Sequence, residues 1–281
     1  MQTMPAMRER ISSLTLRRIA ATLGRNDADA GYGDGAPLPL GWHTVLCQPL
    51  VTRSAMAPDG LPLDDPTLPH HPYEQRLFGG ARIWVQENLR VGDDVECRIV
   101  PGDFAEKSGS SGPLAVYQFE RRYFAGDTLG ISETSSVIYR PATRQEASVR
   151  ADTRRPPAVP EHRADWRTVR TVSIDEIDVF RFSAIMFNSH RIHFDADYTR
   201  GVEGLPGILV QAKLLLLHAL ECVPSRADLR GTVVEYRSHH PAYTVQPLQI
   251  EARAAAGETM QLRVVQDSRT CLTITVSRAE P

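Results

Sequence analysis

The chain has 281 residues, 42% hydrophobic and 23% charged, with a formal net charge of −2 at pH 7. That length carries one large domain or two of ordinary size. A near-neutral charge without basic or acidic blocks argues against nucleic-acid and membrane-surface partners. Cys47, Cys97, Cys222 and Cys271 lie far apart with no CxxC pair, so they read as thiols in a reducing compartment, not as a disulfide framework or zinc site. The N-terminus lacks a signal-peptide core, and the longest apolar run falls short of the ~18 residues of a spanning helix. A cytoplasmic protein is expected.

Residues 13–23 (SLTLRRIAATL) set Leu16, Ile19, Ala20 and Leu23 on one face, which predicts an amphipathic helix. Residues 25–39 form a Gly/Asp/Pro loop, and 40–50 a short buried helix with Trp42, Val45 and Leu46 inward. Residues 57–72 (APDGLPLDDPTLPHHP) are loop by composition, and so long a loop is more often a functional flap than a spacer. From Gly80, ARIWVQENL, VECRIV, LAVYQFERRYF and LGISETSSVIYR predict an antiparallel meander, with SGSSG as a hairpin tip. The proline-rich stretch 141–166 is expected to link two halves, 1–150 and 151–281.

In the second half, 174–186 predicts a helix, with Ser173 and Glu176 in capping-box spacing. Residues 208–220 are apolar all round, as a buried helix is. TVVEYRSH, YTVQPLQIEARA, TMQLRVVQDS and CLTITVSR predict four further strands. Helix, polar loop, central apolar helix and four strands thus occur twice, and RIAATLGRND echoes RFSAIMFNSH, which points to duplication. The implied fold is α+β: a tandem (double) hot dog, two antiparallel sheets each wrapping a central helix.

Polar chemistry concentrates just before the second central helix. His190 and His193 stand three apart, Asn188 five before His193, with Asp195 and Asp197 following, then the Pro206-Gly207 turn. Imidazole titrates near neutrality and can move protons. A satisfied core histidine at 193 and a loop-capping Asn188 are the structural alternatives. His70-His71 and His239-His240 read as surface or groove residues.

The run FSAIMFNSHRIHFD followed by EGLPGILVQ resembles the MaoC-like and R-specific enoyl-CoA hydratases. It is most similar to their double-hot-dog branch, which includes mesaconyl-C4-CoA hydratase and the mitochondrial 3-hydroxyacyl-thioester dehydratases. LFGGARIWVQENLRVGDDVE and AEKSGSSGPLAVYQFERRY extend the resemblance across most of the chain. Ser183 and His193 fall on the outer positions of the family motif. Three positions depart: Asn188 stands where many members carry a catalytic Asp, His190-Arg191 where they carry Asn-Pro, and Gln211-Ala212 where they carry His-Gly. Asn at that first position is common in the double-hot-dog branch.

The resemblance implies a hydro-lyase acting on acyl-CoA, with no cofactor beyond the CoA of the substrate and no metal, although His190, His193 and Asp195 have ligand-like spacing. His193 is then the candidate base, with Asn188 holding the water. Asn cannot take a proton, so His193 also serves as acid unless Asp195 or His190 assists. Backbone amides at the start of the central helix, between Gly207 and Ala212, are the candidate oxyanion donors. Arg191, Arg82 and Gln211 are candidate substrate contacts, with Arg76 beside Arg82. Arg191 pairs equally well with Asp195 or Asp197, and Lys107 is a candidate for CoA phosphate. A guanidinium suits a carboxylate, so these arginines lean toward a short C5 dicarboxylyl-CoA, itaconyl-CoA or mesaconyl-C4-CoA, hydrated to citramalyl-CoA as in itaconate degradation. The alternatives are a 3-hydroxyacyl-thioester dehydratase of fatty-acid or polyketide metabolism and a non-catalytic acyl-thioester-binding protein. One site per chain is expected, in a monomer or homodimer.

Overall fold

In the computed structural model, ten antiparallel strands form one continuous sheet. It describes residues 6–25, 31–65, 67–73, 75–109, 112–141, 165–255 and 257–279. The strands are β1 (Met7–Arg10), β2 (Gln75–Val85), β3 (Asp94–Gly109), β4 (Gly112–Ala125), β5 (Thr128–Arg140), β6 (Arg167–Val172), β7 (Thr232–Ser238), β8 (Leu248–Ala254), β9 (Met260–Gln266) and β10 (Arg269–Arg278). Their spatial order is β1-β3-β4-β5-β2-β7-β10-β9-β8-β6. Outward from the centre, β2-β5-β4-β3-β1 mirrors β7-β10-β9-β8-β6, the signature of a duplicated unit.

The expected pair of separate sheets is corrected here, because β2 and β7 pair from Gly80↔Arg237 to Trp84↔Val233 and fuse the halves. Gly80 permits that seam: at φ +143° its added Cβ would lie 2.2 Å from the Tyr236 carbonyl oxygen. Gly79-Gly80 is therefore a bulge inside β2, not a turn before it. The division at 150/151 falls in 142–164, outside the described residues, as do 110–111 of the hairpin tip.

Helix α1 (Ser13–Thr22) begins where the Ser12 hydroxyl accepts from the Leu14 and Thr15 amides, and it buries the face read from its pattern. Helix α2 (Glu176–Ile185) is capped by Asp175, with Asp178 closing the box, two residues later than Ser173 and Glu176 suggest. Ile174 belongs to the core ahead of that cap. A one-and-a-half-turn helix, α3 (Ala196–Gly201), follows the histidine loop.

Helix α4 (Ala212–Leu220) is buried on every side, as a helix gripped by a sheet must be. It starts four residues later than the apolar run. Leu209 bridges to Tyr243 and the Val210 amide donates to the Ala242 carbonyl, and a short apolar run does not distinguish buried strand from buried helix. Among the described residues the first half has no matching helix. Its 40–50 segment is reduced to one buried 3-10 turn, Trp42–Val45, so among the described residues the wrapped central α-helix belongs to the second half. One core cluster joins α1, α2, α4 and both arms of the sheet. A smaller one (Ala115, Tyr117, Phe119, Val137, Tyr139) is covered by Leu68 and Tyr73 of the long loop. Among the described residues no helix is long and apolar enough to cross a membrane.

Candidate active site

His193 closes a short 3-10 turn, Arg191–His193, between α2 and α3. Its ring is buried, and Nδ1 lies 2.7 Å from the Leu209 carbonyl oxygen. A carbonyl only accepts, so Nδ1 carries the proton and Nε2 the lone pair. Burial pushes this imidazole down to about 4, partly opposed by the Leu209 hydrogen bond and aided by His190. His193 is thus neutral at pH 7, with a basic nitrogen directed away from its backbone tether. The extended segment ahead of α4 sets that tether, since the Leu209 amide donates to Ile192 while its carbonyl takes His193.

Asn188 follows Phe187, which turns the chain at φ +50°. Its Oδ1 accepts from the His190 amide at 3.0 Å, which leaves the Nδ2 hydrogens to donate outward. His190 packs edge-on to His193, with ring centroids 5.8 Å apart. Burial lowers its pKa, opposed by Asp59 and Glu203 and reinforced by Arg76. Arg76 lies within electrostatic reach of His190.

The loop read as a flap is docked on this turn. The Ser189 hydroxyl donates to the Gly60 carbonyl at 2.8 Å, and the Arg191 amide donates to the Asp59 carbonyl at 2.8 Å. An added Cβ on Gly60, at φ +85°, would sit 1.8 Å from the Ser189 carbonyl oxygen.

The remaining expected residues separate. Ala212 is the first residue of α4, whose N-cap, Gln211, makes no capping hydrogen bond, and its first turn holds no acidic residue. The amide at 212 is therefore well placed for an oxyanion. Gly207 lies five residues earlier and is not at the helix start. Gln211 Nε2 donates to the Ser183 hydroxyl at 2.8 Å and the Val179 carbonyl at 3.2 Å. This side chain ties α2 to α4 instead of reaching outward. Arg191 holds Asp195 through Nε and Nη2 at 3.0 and 2.7 Å and stacks 4.2 Å from the Tyr198 ring. With Asp195 also taking the Tyr198 amide, Arg191 and Asp195 already partner each other, in a bridge that leaves the Arg191 side chain 37% exposed. Arg82 alternates with buried Ala81 and Ile83 and pairs with Glu235 at 3.2 Å on the outer face of the sheet, so β-strand parity removes it from the site.

Sequence reading missed one charged group. Glu133 and His43 are fully buried and meet at 3.1 Å. Although burial alone would raise the Glu133 pKa, Lys213, His43 and Arg121 hold it well below the usual carboxylate range. The signal was available in the strand parity: Glu133 and Arg121 occupy inward positions of β5 and β4. A cavity of about 560 Å³ lies at the opposite, C-terminal end of α4 between Tyr32, Leu220 and Arg278, away from this chemistry.

The mirrored sheet, the buried helix and the neutral histidine beside its N-terminus define a MaoC-like hot-dog hydratase or dehydratase. HtdX of Mycobacterium tuberculosis superposes with a TM-score of 0.66 at 13% identity, covering 98% of this chain and 100% of that one. A MaoC-like dehydratase from Phytophthora capsici gives a TM-score of 0.67 at 12% identity, covering 99% and 96%. Residues 41–244 match the family described as hydroxyacyl-thioester dehydratase type 2, and the chain belongs to that family. Mesaconyl-C(4)-CoA hydratase of Chloroflexus aurantiacus is 33% identical over 243 residues, 86% of this chain and 84% of the relative. The mitochondrial hydroxyacyl-thioester dehydratase type 2 of Schizosaccharomyces pombe is 33% identical over 138 residues, 48% of this chain and 43% of the relative. The protein is an enzyme of the enoyl-CoA hydratase/dehydratase kind.

Proposed function

We propose that the protein adds water across the double bond of a short C5 dicarboxylyl-CoA, mesaconyl-C4-CoA or itaconyl-CoA, to give citramalyl-CoA. The observation that carries the chemistry is the neutral His193, its Nε2 lone pair free beside the first turn of α4. In mesaconyl-C4-CoA the double bond is conjugated to the thioester; itaconyl-CoA, whose double bond lies one carbon further out, first needs a proton moved from its α-carbon to its methylene to give the same conjugated thioester. Nε2 then takes a proton from a water held by Asn188 Nδ2, and the oxygen bonds to the β-carbon. The electron pair moves onto the thioester oxygen, stabilised by the Ala212 amide and the helix dipole. The imidazolium then returns its proton to the α-carbon, restoring the carbonyl. His190 is the neighbouring group able to assist, because Asp195 is bound to Arg191. Supporting the acyl group are the similarity to mesaconyl-C(4)-CoA hydratase across most of both chains and Arg76 within electrostatic reach of His190.

The family's own description favours a second reading, dehydration of a 3-hydroxyacyl thioester, which is the same chemistry reversed. Rates on mesaconyl-C4-CoA and crotonyl-CoA, followed by loss of enoyl-thioester absorbance, and on itaconyl-CoA, followed by formation of citramalyl-CoA, separate the two. Preference for the dicarboxylates supports the proposal, and equal or faster crotonyl-CoA turnover replaces it with the general dehydratase.

A further inference from the structure

Along β4 and β5 the inward positions run Phe119, Arg121, Tyr123 and Ile131, Glu133, Ser135, with Arg121 directly opposite Glu133 in register. A sheet face packed against a helix would be apolar here, as the second-half face around α4 is. Over this face the first half lays the Trp42–Val45 turn, which contributes His43 to Glu133, with Leu68 and Tyr73 of the long loop packed against the Phe119 end. Glu133 accepts at both oxygens, from His43 at one and from the Ser135 hydroxyl, 3.2 Å away, at the other.

Two cations share the chamber. Arg121 rests 5.2 Å from the Phe119 ring, and its buried Nε has no hydrogen-bond partner. Lys213, the second residue of α4, approaches from the helix side and is half-buried. Among the described residues neither side chain makes a hydrogen bond or ion pair. A self-contained buried network would have turned these donors onto Glu133, because unmet buried donors are costly. Arg121 and Lys213 both act on Glu133, with Asp65 a further carboxylate within reach of Arg121, and the two basic side chains keep open donors.

The cluster adjoins the start of α4. Lys213 follows the Ala212 amide on the same helical turn. Asp65, on the loop whose Asp59 and Gly60 clasp the histidine turn, lies within electrostatic reach of Arg121 and Tyr139. Arg76 lies within electrostatic reach of both Tyr139 and His190.

We propose that Arg121 and Lys213 form the subsite for the free carboxylate of the substrate, with the His43–Glu133 pair as a built-in counter-charge that holds the two cations together. This rests on the dicarboxylyl-CoA reading of the same site. A guanidinium fork and an ammonium point charge converging on one carboxylate give direction as well as charge. The subsite explains how the chain selects a dicarboxylyl group although Arg191 and Arg82 are tied to Asp195 and Glu235.

The test is equilibrium binding of succinyl-CoA and butyryl-CoA, two saturated thioesters that differ in a terminal carboxylate and cannot be hydrated. Wild type should favour succinyl-CoA. Arg121→Gln and Lys213→Met should each lower the succinyl/butyryl affinity ratio about tenfold or more, whereas Arg121→Lys and Lys213→Arg should retain most of it, separating lost charge from lost packing. A ratio unchanged within twofold in both neutral variants overturns the proposal, as does a wild type that prefers butyryl-CoA. If Arg121→Gln fails to fold by circular dichroism, Lys213→Met, at a half-buried helix position, decides alone. Because no turnover is needed, an enzyme that hydrates nothing counts against the reaction and leaves the ratio readable.

Discussion

Replacing Gly60 with alanine perturbs the docking of the 57–62 loop on the histidine turn without altering a side chain that touches substrate. At φ +85° an L-residue is strained, by about 1–2 kcal/mol. Its Cβ would also stand 1.8 Å from the Ser189 carbonyl oxygen, a contact that cannot persist. The clasp consists of Ser189 Oγ to Gly60 O and Arg191 N to Asp59 O, both 2.8 Å, and Arg191 Nη1 to Pro58 O at 3.4 Å. At about 1 kcal/mol net for each bond, it is worth about 3 kcal/mol, no more than the strain and overlap together, so the loop must lift. Lifting it releases the backbone of residues 189–191 next to His193, and an ångström of misplacement costs about 100-fold in rate. Enoyl-CoA hydration and thermal unfolding measured on one preparation read both effects. The expected result is a kcat/KM lower by about 100-fold with a Tm only roughly 3–6 °C lower. Activity within threefold of wild type would refute the clasp argument.

Three further outcomes follow from the same geometry. His218 is buried in α4 with neither ring nitrogen partnered, and burial pushes it to about 4. The unfolded chain therefore takes up its proton near pH 6.5 before the folded chain does, so stability falls by up to about 3 kcal/mol as pH drops from 6.5 toward 4. His218→Leu should be more stable than wild type in urea by a margin that is larger at pH 5 than at pH 8, and a pH-independent margin contradicts this. Arg191→Gln removes a half-exposed bridge worth about 1 kcal/mol or less. It should reduce kcat/KM by the same factor for dicarboxylyl and neutral enoyl thioesters, whereas a loss confined to dicarboxylates would return Arg191 to the substrate. Wild-type kcat/KM should stay flat from pH 7.5 to 5.5, because the His193 imidazole is held down to about 4; an acid limb between 6 and 7 argues for another base.

The legible parts of the fold were those with a strong period. The α1 face and the eight long strands followed from spacing, and the duplication from element order, later matched by the mirrored strand order. Two short edge strands, β1 and β6, carried too few residues to signal themselves. Fusion into one sheet depends on Gly80, whose close approach to Tyr236 no local pattern records. The apolar run at 208–220 merged an extended segment with a helix because both are buried, and that segment supplies the carbonyl that fixes the His193 tautomer. At the candidate site, the histidine turn was visible as a cluster, but charge alone did not show direction. Arg82 failed by strand parity and Arg191 by its own helix-spaced partner, Asp195. Arg121 and Glu133 were readable by the same parity rule, as charged residues at inward positions between aromatic and aliphatic neighbours.

The central claim is that one neutral imidazole, His193, carries the proton in both directions. The direct measurement is single-turnover hydration of mesaconyl-C4-CoA by wild type and His193→Ala at pH 7.5, with folding of the variant checked by circular dichroism. A folded His193→Ala enzyme slower by about 100-fold to 10,000-fold, with thioester binding retained, is the predicted result. A folded variant within tenfold of wild type would contradict the assignment and move the base elsewhere, with His190 the next group to test.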